Sequence, residues 1–289
     1  MAGEAGGARV AVIAVDWGTS SLRVYRLDSI GRILQSRTSD QGILNVASGQ
    51  FARVLEEQIA GWNETPILMS GMVGSRQGWR EAPYVQCPAG FDEIAAQLVE
   101  VRQGAWIVPG LSCREASGVP DVMRGEEVQI LGSSAEGTVC LPGTHSKWVE
   151  VENGRIERFS TFMTGEVYAL LRQHSILGRM MEEGEPDAGA FADGVKRSGE
   201  GGGMLHHLFG VRTRGLMGEL GGAAAASYLS GIVIGHELRA QDAREFSVLG
   251  TAELAALYQR AAALLGMNAR LLDPESGVRA LARLGAMLR

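Results

Sequence analysis

The chain has 289 residues, of which 45% are hydrophobic, and a formal net charge of −6 at pH 7. This length suits two domains of ordinary size, each able to bury its own core. The basic residues are dispersed along an acidic chain, which argues against nucleic acid as a partner. Three widely spaced cysteines predict neither a disulfide framework nor a structural zinc site.

The predicted setting is the cytoplasm. The segment MAGEAGGARV at the start lacks a basic stretch followed by an apolar core, so it predicts a short frayed lead-in and not a secretory signal. The most apolar stretch, residues 223–235, is interrupted by polar residues and is shorter than the ~20 residues that a bilayer crossing requires. No membrane partner is therefore expected.

The first predicted element is a hairpin over residues 10–27, VAVIAVDWGTSSLRVYRL. An apolar run predicts a buried strand, and an alternating segment predicts the returning strand. In the turn between them, Gly18 lets the backbone approach a phosphate, and Thr19, Ser20 and Ser21 offer amide and hydroxyl donors. Asp16 can hold a Mg²⁺ ion through its water. An ordinary hairpin whose aspartate caps the turn is the alternative.

Strands and helices alternate along the rest of the chain, which predicts an α/β layer fold. Strands are predicted at residues 32–39, 66–69, 105–108, 138–141, 147–151, 155–162 and 246–249, the fifth and sixth joined by an Asn-Gly turn. Helices are predicted at residues 48–61, 92–101, 126–135, 165–174, 204–211, 221–239 and 252–265. Residues 181–189 and 198–203 are predicted to be solvated loops.

Motifs for several common chemistries are missing from the sequence. It contains no GxxxxGK[ST], no GxGxxG after a strand, no HExxH and no GxSxG, and its five histidines lack metal-ligand spacing. The predicted phosphate-binding hairpin at residues 10–27 instead indicates phosphoryl transfer, a reaction in which the protein mainly positions two substrates and spreads the developing charge.

Acidic residues at the start of the helix predicted from residue 126 are candidates for the catalytic base. In phosphoryl transfer to an alcohol, a carboxylate that accepts the proton of the attacking hydroxyl group raises the rate by roughly 10²–10⁴. A helix N-terminus favours the ionised form of such a carboxylate. Glu126 is our choice, with Glu127 as the second candidate and helix capping as the alternative for both. Arg124 would bind a substrate carboxylate or stabilise the transferring phosphoryl group, unless it is a surface arginine.

Four segments together resemble one family: DWGTSSLR at 16–23, MSGMVGS at 69–75, MRGEEVQ at 123–129 and PGTHSKW at 142–148. In this order they are similar to 2-dehydro-3-deoxygalactonokinases, members of the actin, sugar kinase and Hsp70 superfamily. The resemblance implies a two-domain actin-like (ribonuclease H-like) sugar kinase fold with ATP in the interdomain cleft. The expected domains are residues 1–135 and 136–289. The resemblance weakens after about Gly266, so no site is expected in residues 273–280.

The resemblance also implies binding residues in both halves. Gly143 and Thr144 would form the second phosphate turn, and Gly250 and Thr251 the adenosine motif. Lys147 is a further cation in the second hairpin, which binds substrate or else only supports the turn. The sugar-acid side would comprise Gly71, Met72, Val73, Gly74, Ser75, Trp79 and Tyr84, with a structural loop and a packed tryptophan as the alternative.

The expected activity is ATP- and Mg²⁺-dependent phosphorylation of 2-dehydro-3-deoxy-D-galactonate at O6. Two alternatives stay open: a kinase of the same fold for another hexose or hexonate, and a non-catalytic sugar or nucleotide sensor. The expected partners are small molecules, the sugar acid and ATP. A homodimer is compatible with the sequence.

Overall fold

The computed structural model describes residues 10–288, which divide into two compact units. Unit 1 comprises residues 10–136, 150–159 and 273–288, and unit 2 comprises residues 137–149 and 160–272. Most of the predicted N-terminal lead-in lies outside the described residues. The single boundary predicted between residues 135 and 136 differs from this division at two segments, 150–159 and 273–288, both of which pack in unit 1.

Unit 1 contains nine strands and four helices within the described residues. They are β1 (Val10–Trp17), β2 (Leu22–Asp28), β3 (Ile33–Ser39), α1 (Phe51–Gln58), β4 (Ile67–Ser70), β5 (Tyr84–Gln86), α2 (Phe91–Ala95), β6 (Val99–Arg102), β7 (Ala105–Ile107), β8 (Gly110–Arg114), β9 (Pro120–Met123), α3 (Glu126–Ser133) and α9 (Ser276–Met287). The segment 150–159 joins this unit through a bridge between Ala89 and Ile156 and an ion pair of 2.7 Å between Arg155 and Glu93.

The main sheet of unit 1 has the order β3-β2-β1-β4-β7-β6. Side chains alternate across strand β1. Ile13, Val15 and Trp17 share a core cluster with residues of α1, whereas Val12 faces α9, where a Cβ on Gly285 would lie 2.2 Å from it. By the same alternation Asp16 lies on the α9 face. Strands β5, β8 and β9 form a separate small sheet.

The remaining five strands and five helices of the described chain lie in residues 137–272, and of these residues 150–159 belong to unit 1 and the others to unit 2. They are β10 (Gly137–Leu141), β11 (Ser146–Glu152), β12 (Arg155–Phe162), α4 (Thr164–His174), α5 (Ala188–Arg197), α6 (Gly203–Leu216), α7 (Gly222–Arg239), β13 (Glu245–Val248), α8 (Ala252–Leu264) and β14 (Asn268–Leu271). The sheet order is β12-β11-β10-β13-β14. Both sheets therefore share one order: three consecutive strands lie side by side, and two parallel strands follow next to the first of them. In one sheet these are β1, β2 and β3 with β4 and β7, and in the other β10, β11 and β12 with β13 and β14. This likeness supports an internal duplication.

The predicted helix over residues 92–101 is wrong. Only Phe91–Ala95 is helical, and Val99–Arg102 forms strand β6. Val99 and Val101 both pack on the core while β6 pairs with β7, so the period of two applies there and not the helical period. The predicted cap also differs, because helix α1 begins at Phe51, two residues later than a cap at Ser48 would place it.

Several elements have no counterpart among the sequence predictions. They are the small sheet of β5, β8 and β9, helix α5, strand β14 and helix α9. The three cysteines are free thiols. None of the helices in residues 10–288 combines the length and apolar character that a membrane crossing requires.

Candidate active site

The turn between β1 and β2 is a closed corner with an exposed tip. The Gly18 amide donates to the Ser21 carbonyl at 2.9 Å, so it stabilises the turn itself. Thr19 and Ser20 are exposed at the tip. Gly42 packs behind this tip. A Cβ there would lie 2.3 Å from the carbonyl carbon of Ser20, so only glycine fits at position 42. The corner can therefore offer Thr19 and Ser20 to a phosphate.

A row of polar side chains crosses the sheet beside this corner. Asp16 pairs in register with Ser70 on one side and Arg23 on the other, and Arg23 pairs with Thr38. Directly opposed residues point to the same face of a sheet. They line a cavity of about 340 Å³, in which the Asp16 carboxylate lies 3.7 Å from the Arg23 guanidinium. Burial raises the pKa of Asp16, and the charge of Arg23 opposes that rise.

Part of the cavity lining comes from the C-terminal segment 273–280, in which the sequence predicted no site. Pro274, Glu275 and Gly277 line it together with Gln129 of α3. The Ser276 hydroxyl donates to the Gln129 carbonyl at 2.8 Å, which packs the start of α9 on α3. No local signal in residues 273–280 could have found this, because the contact joins residues 147 positions apart in the sequence.

Asp16 is the candidate ligand for Mg²⁺ that accompanies a nucleotide. Within the described chain, no three His, Cys, Asp or Glu side chains group closely enough to hold a metal ion by themselves. Mg²⁺ in phosphoryl-transfer sites usually binds one or two carboxylates, several waters and the substrate phosphates. One partly exposed carboxylate beside a phosphate corner fits that donor set.

Both glutamates at the start of α3 bind backbone amides. Glu126 Oε2 accepts from the Arg124 amide at 3.0 Å, and Glu127 Oε2 accepts from the Gly125 amide at 2.6 Å. The capping alternative is thus observed for one oxygen of each carboxylate. Gly125 has φ +107°, a conformation that favours glycine, and it turns the chain from β9 into this helix.

The two glutamates differ in their surroundings. Glu126 is half-buried, whereas Glu127 is fully buried and its Oε1 finds no hydrogen-bond partner among residues 10–288. Burial and, after it, repulsion by Glu126 raise the pKa of Glu127 to about 8. The pKa of Glu127 thus lies near neutrality instead of in the ordinary carboxyl range, and its full burial keeps the side chain from reaching a substrate hydroxyl.

Arg124 is a partly buried cation with spare hydrogen-bonding capacity. Its guanidinium lies 4.3 Å from the centre of the Tyr84 ring, and Nη2 donates to the Ala82 carbonyl at 2.8 Å. Its Nε and Nη1 are buried and find no acceptor in the described chain. Gly74 leaves room for it, because a Cβ there would lie 2.9 Å from Nη1.

The loop after β4 divides into packing residues and polar residues. Val73 is fully buried, Met72 packs on the core of unit 1, and Trp79 stacks on Phe51 with ring centroids 6.5 Å apart. This favours the packed-tryptophan alternative for Trp79. Ser75 Oγ is buried without a partner in the described residues.

Gly71 explains why this loop approaches the phosphate corner. It has φ +93°, and a Cβ at that position would lie 2.9 Å from the Trp17 carbonyl and 3.6 Å from the Asp16 carboxylate. Because β1 and β4 are parallel neighbours, the ends that carry Asp16 and Gly71 meet at one edge of the sheet. Unit 1 thus brings together the corner, this loop and the start of α3, where a Cβ on Gly125 would lie 3.3 Å from Gly71.

In unit 2, the Gly143–Thr144 turn packs against the start of α4. The Thr144 carbonyl accepts from the Glu166 amide at 2.9 Å, and a Cβ on Gly165 would lie 2.4 Å from the Gly143 carbonyl. His145 and Glu166 form a side-chain pair. The Thr144 side chain remains exposed, so the turn is fixed from behind and open in front.

The predicted adenosine motif at Gly250 and Thr251 lies beside the Gly143–Thr144 turn. Strands β10 and β13 are parallel neighbours, and a Cβ on Gly250 would lie 3.6 Å from Pro142. Thr251 caps helix α8 by accepting from the Leu254 amide at 3.4 Å. A cavity of about 320 Å³, which the sequence did not single out, is lined by Tyr168, Glu253 and Leu257 near the start of α8.

Lys147 lies within strand β11 and is buried. Its Nζ donates to Thr161 Oγ1 of β12 at 2.8 Å. This contact favours the supporting role among the two that the sequence left open.

Comparison with known proteins agrees with the resemblance seen in the sequence. Residues 16–284 match the family model described as 2-keto-3-deoxy-galactonokinase. A probable 2-dehydro-3-deoxygalactonokinase of Rhizobium meliloti is 39% identical, with 92% of this chain and 94% of that protein covered. The 2-dehydro-3-deoxygalactonokinase of Escherichia coli K12 is 36% identical, with 89% and 90% covered.

Solved structures give the same result for the fold. A crystal structure from Sinorhizobium meliloti, described as that of a candidate 2-dehydro-3-deoxygalactonokinase, matches with a TM-score of 0.88 and 36% identity over 96% of this chain and 98% of that one. An activator of 2-hydroxyisocaproyl-CoA dehydratase from Clostridium difficile matches at 0.50 with 12% identity over 95% and 93%, a likeness of fold alone. The predicted two-domain actin-like sugar kinase fold is confirmed, and the chain belongs to the 2-keto-3-deoxy-galactonokinase family.

Proposed function

We propose that the protein transfers the γ-phosphoryl group of ATP to the O6 hydroxyl of 2-dehydro-3-deoxy-D-galactonate. Family membership supports the kinase activity and the substrate. The observation that carries the sugar-acid assignment within the structure is Arg124, whose Nε and Nη1 have no acceptor in the described chain. We assign these donors to the carboxylate of the substrate.

Several features of the Arg124 site favour an anionic substrate over a neutral sugar. A buried guanidinium with unmatched donors is costly, and a carboxylate supplies both the charge and the acceptors that it lacks. Tyr84 and the Ala82 carbonyl already orient it. The unpartnered hydroxyl of Ser75 lies in the loop that contains Gly74, next to Arg124, and we assign it to a substrate oxygen.

Glu126 is the proposed base. The hydroxyl that attacks the γ-phosphoryl group must lose its proton, and an ionised carboxylate at a helix start can accept it. Glu127, which is fully buried, is better suited to orient the α3 start by accepting from the Gly125 amide.

ATP is proposed to bind through the turns of both units. In unit 1 Thr19 and Ser20 would contact phosphate oxygens, and Asp16 would hold Mg²⁺ directly or through water. The ion, when bound, neutralises charge on the phosphates. In unit 2 Thr144 would contact phosphate, and the adjacent turn at Thr251 would border the nucleoside. Because its cysteines are all free thiols, we place the enzyme in the reducing cytoplasm.

A coupled assay of ADP release tests the activity. Purified protein with Mg²⁺ and ATP should turn over only when a sugar acid is added, with 2-dehydro-3-deoxy-D-galactonate preferred over its gluconate epimer, galactose and glucose. Equal or better turnover of glucose would exclude the proposed substrate. Absence of ADP release with every sugar acid and sugar tested would instead favour a sensor.

The role of Arg124 has its own test. Arg124→Ala should raise KM for the sugar acid roughly 10- to 100-fold, the effect of a lost charge-assisted hydrogen bond, and leave KM for ATP unchanged. Arg114→Ala is the matched control, since Arg114 is an exposed arginine at the end of β8, the strand that pairs with β9 just before Arg124, and it donates to the Gly118 carbonyl. An unchanged KM for the sugar acid in a folded Arg124 variant would remove this residue from the carboxylate site.

A further inference from the structure

Helix α7 carries a carboxylate inside the core of unit 2. Glu237 is 3% exposed. Its Oε1 accepts from Trp148 Nε1 at 2.8 Å, and its Oε2 accepts from the Tyr258 hydroxyl at 2.6 Å. Burial raises its pKa, while hydrogen bonds from Thr164, Tyr258, Trp148 and Ser146 oppose the rise. So many donors around one buried acid indicate a network with a defined geometry.

The network reaches the Gly143–Thr144 turn, and its direction can be deduced. The single proton of Tyr258 goes to Glu237, so its oxygen can only accept across the 3.0 Å contact with Ser146. Ser146 donates its proton either there or to Glu237 itself. In either case the Ser146 proton is used on the side of the carboxylate, and the Ser146 oxygen accepts from the Gly143 amide at 3.4 Å. Every donor in the series from Gly143 to Glu237 points toward the carboxylate.

The other flank of the turn leads to the same carboxylate. Thr164 donates to Glu237 and begins helix α4, whose Glu166 amide donates to the Thr144 carbonyl at 2.9 Å. The turn is thereby connected to Glu237 before and after Thr144. Each of these two routes ends in a hydroxyl donor, Tyr258 in one and Thr164 in the other, so both require a buried acceptor.

We infer that Glu237 is a positioning residue for the phosphate-binding turn. By accepting from Tyr258 and Thr164 it fixes the Gly143 amide inward and leaves the Thr144 side chain facing outward. Glu237 itself does not touch ATP. This inference rests on the proposed binding of ATP phosphate at Thr144.

Removing links of the network tests this role. Tyr258→Phe keeps the ring and removes the hydroxyl, Ser146→Ala removes the acceptor of the Gly143 amide, and Glu237→Gln replaces an acceptor with a donor toward Tyr258. Each should raise KM for ATP about 5- to 10-fold, the effect of one hydrogen bond, with KM for the sugar acid changed less than about twofold. The double variant of Tyr258 and Ser146 should be no worse than the stronger single one, since both break the same series.

A core variant separates positioning from general loss of stability. Ile232→Val shortens a fully buried side chain on the same helix as Glu237. It should lower the melting temperature and leave KM for ATP unchanged. If it raises KM for ATP as much as Tyr258→Phe does, or if the Tyr258 and Ser146 effects multiply, the inference is overturned.

Thr144→Ala distinguishes failure of this inference from failure of the proposed function. If Thr144→Ala raises KM for ATP but the Ser146, Tyr258 and Glu237 variants do not, the turn binds ATP without help from the network, and only the inference is wrong. If Thr144→Ala has no effect while the wild type is an active kinase, the turn is not a phosphate site. The proposed ATP contact then fails together with the inference.

Discussion

Replacing Glu127 by glutamine should make the protein more stable. Glu127 is fully buried, and burial followed by repulsion from Glu126 raises its pKa from 4.5 to about 8. An acid with a raised pKa in the folded state favours folding only while it is protonated. Its ionisation costs stability progressively as pH rises from the unfolded pKa to the folded pKa. Glutamine keeps the acceptor for the Gly125 amide and cannot ionise.

The magnitude follows from the two pKa values. Each pH unit between them corresponds to about 1.4 kcal/mol, so at pH 7 ionisation of the unfolded chain costs the fold about 3 kcal/mol, and at pH 8 about 4 kcal/mol. Glu127→Gln should recover most of this at pH 8 and almost none at pH 4.5. The gain should therefore grow across this interval and stop growing above it.

Urea unfolding followed by tryptophan fluorescence measures this difference. Four tryptophans report on unit 1, namely Trp17, Trp62, Trp79 and Trp106. The free energies of unfolding of wild type and Glu127→Gln should diverge between pH 5 and pH 8. Parallel pH profiles would refute the reasoning, because they would mean that Glu127 ionises as readily in the fold as in the unfolded chain.

Three further variants test the site and its support. Glu126→Gln should lower kcat at least ~100-fold with little change in ATP affinity; a near-wild-type rate would take the proton-accepting role away from this residue. Asp16→Asn should lower kcat by a similar factor and shift saturation by Mg²⁺ to higher concentration in initial-rate assays, whereas an unchanged Mg²⁺ profile would move the metal elsewhere. Gly132→Ala should cost about 1–3 kcal/mol in urea unfolding, because its Cβ would lie 2.0 Å from the Ser276 carbonyl. Gly201→Ala is the control, since no described atom lies within 4 Å of that Cβ, and equal effects of the two would contradict the packing argument.

Local patterns predicted the elements that carry the candidate site. The hairpin at residues 10–27 and the helix start at Glu126 were both placed correctly. The Asn153-Gly154 turn also formed as expected, with positive φ at both residues. These features depend on neighbouring residues, and a sequence displays neighbours directly.

Contacts between distant residues were not predicted. Residues 273–280 gave no site signal, yet their segment lines the cavity around Asp16. Helix α9 packs on β1 because Gly285 permits close approach to Val12, a fit that no local pattern shows. The network from Glu237 to Gly143 likewise joins residues far apart in the chain.

The sequence by itself determined the kinase family, the α/β fold and the residue types available for phosphoryl transfer. Only the tertiary structure decided that Glu127 is fully buried, with a raised pKa, while Glu126 is half-buried, and that Arg124 has donors without acceptors. The physical reason is that ionisation and hydrogen-bond satisfaction depend on exposure and on partners brought from elsewhere in the chain. Adjacent residues of the same type can therefore take different roles.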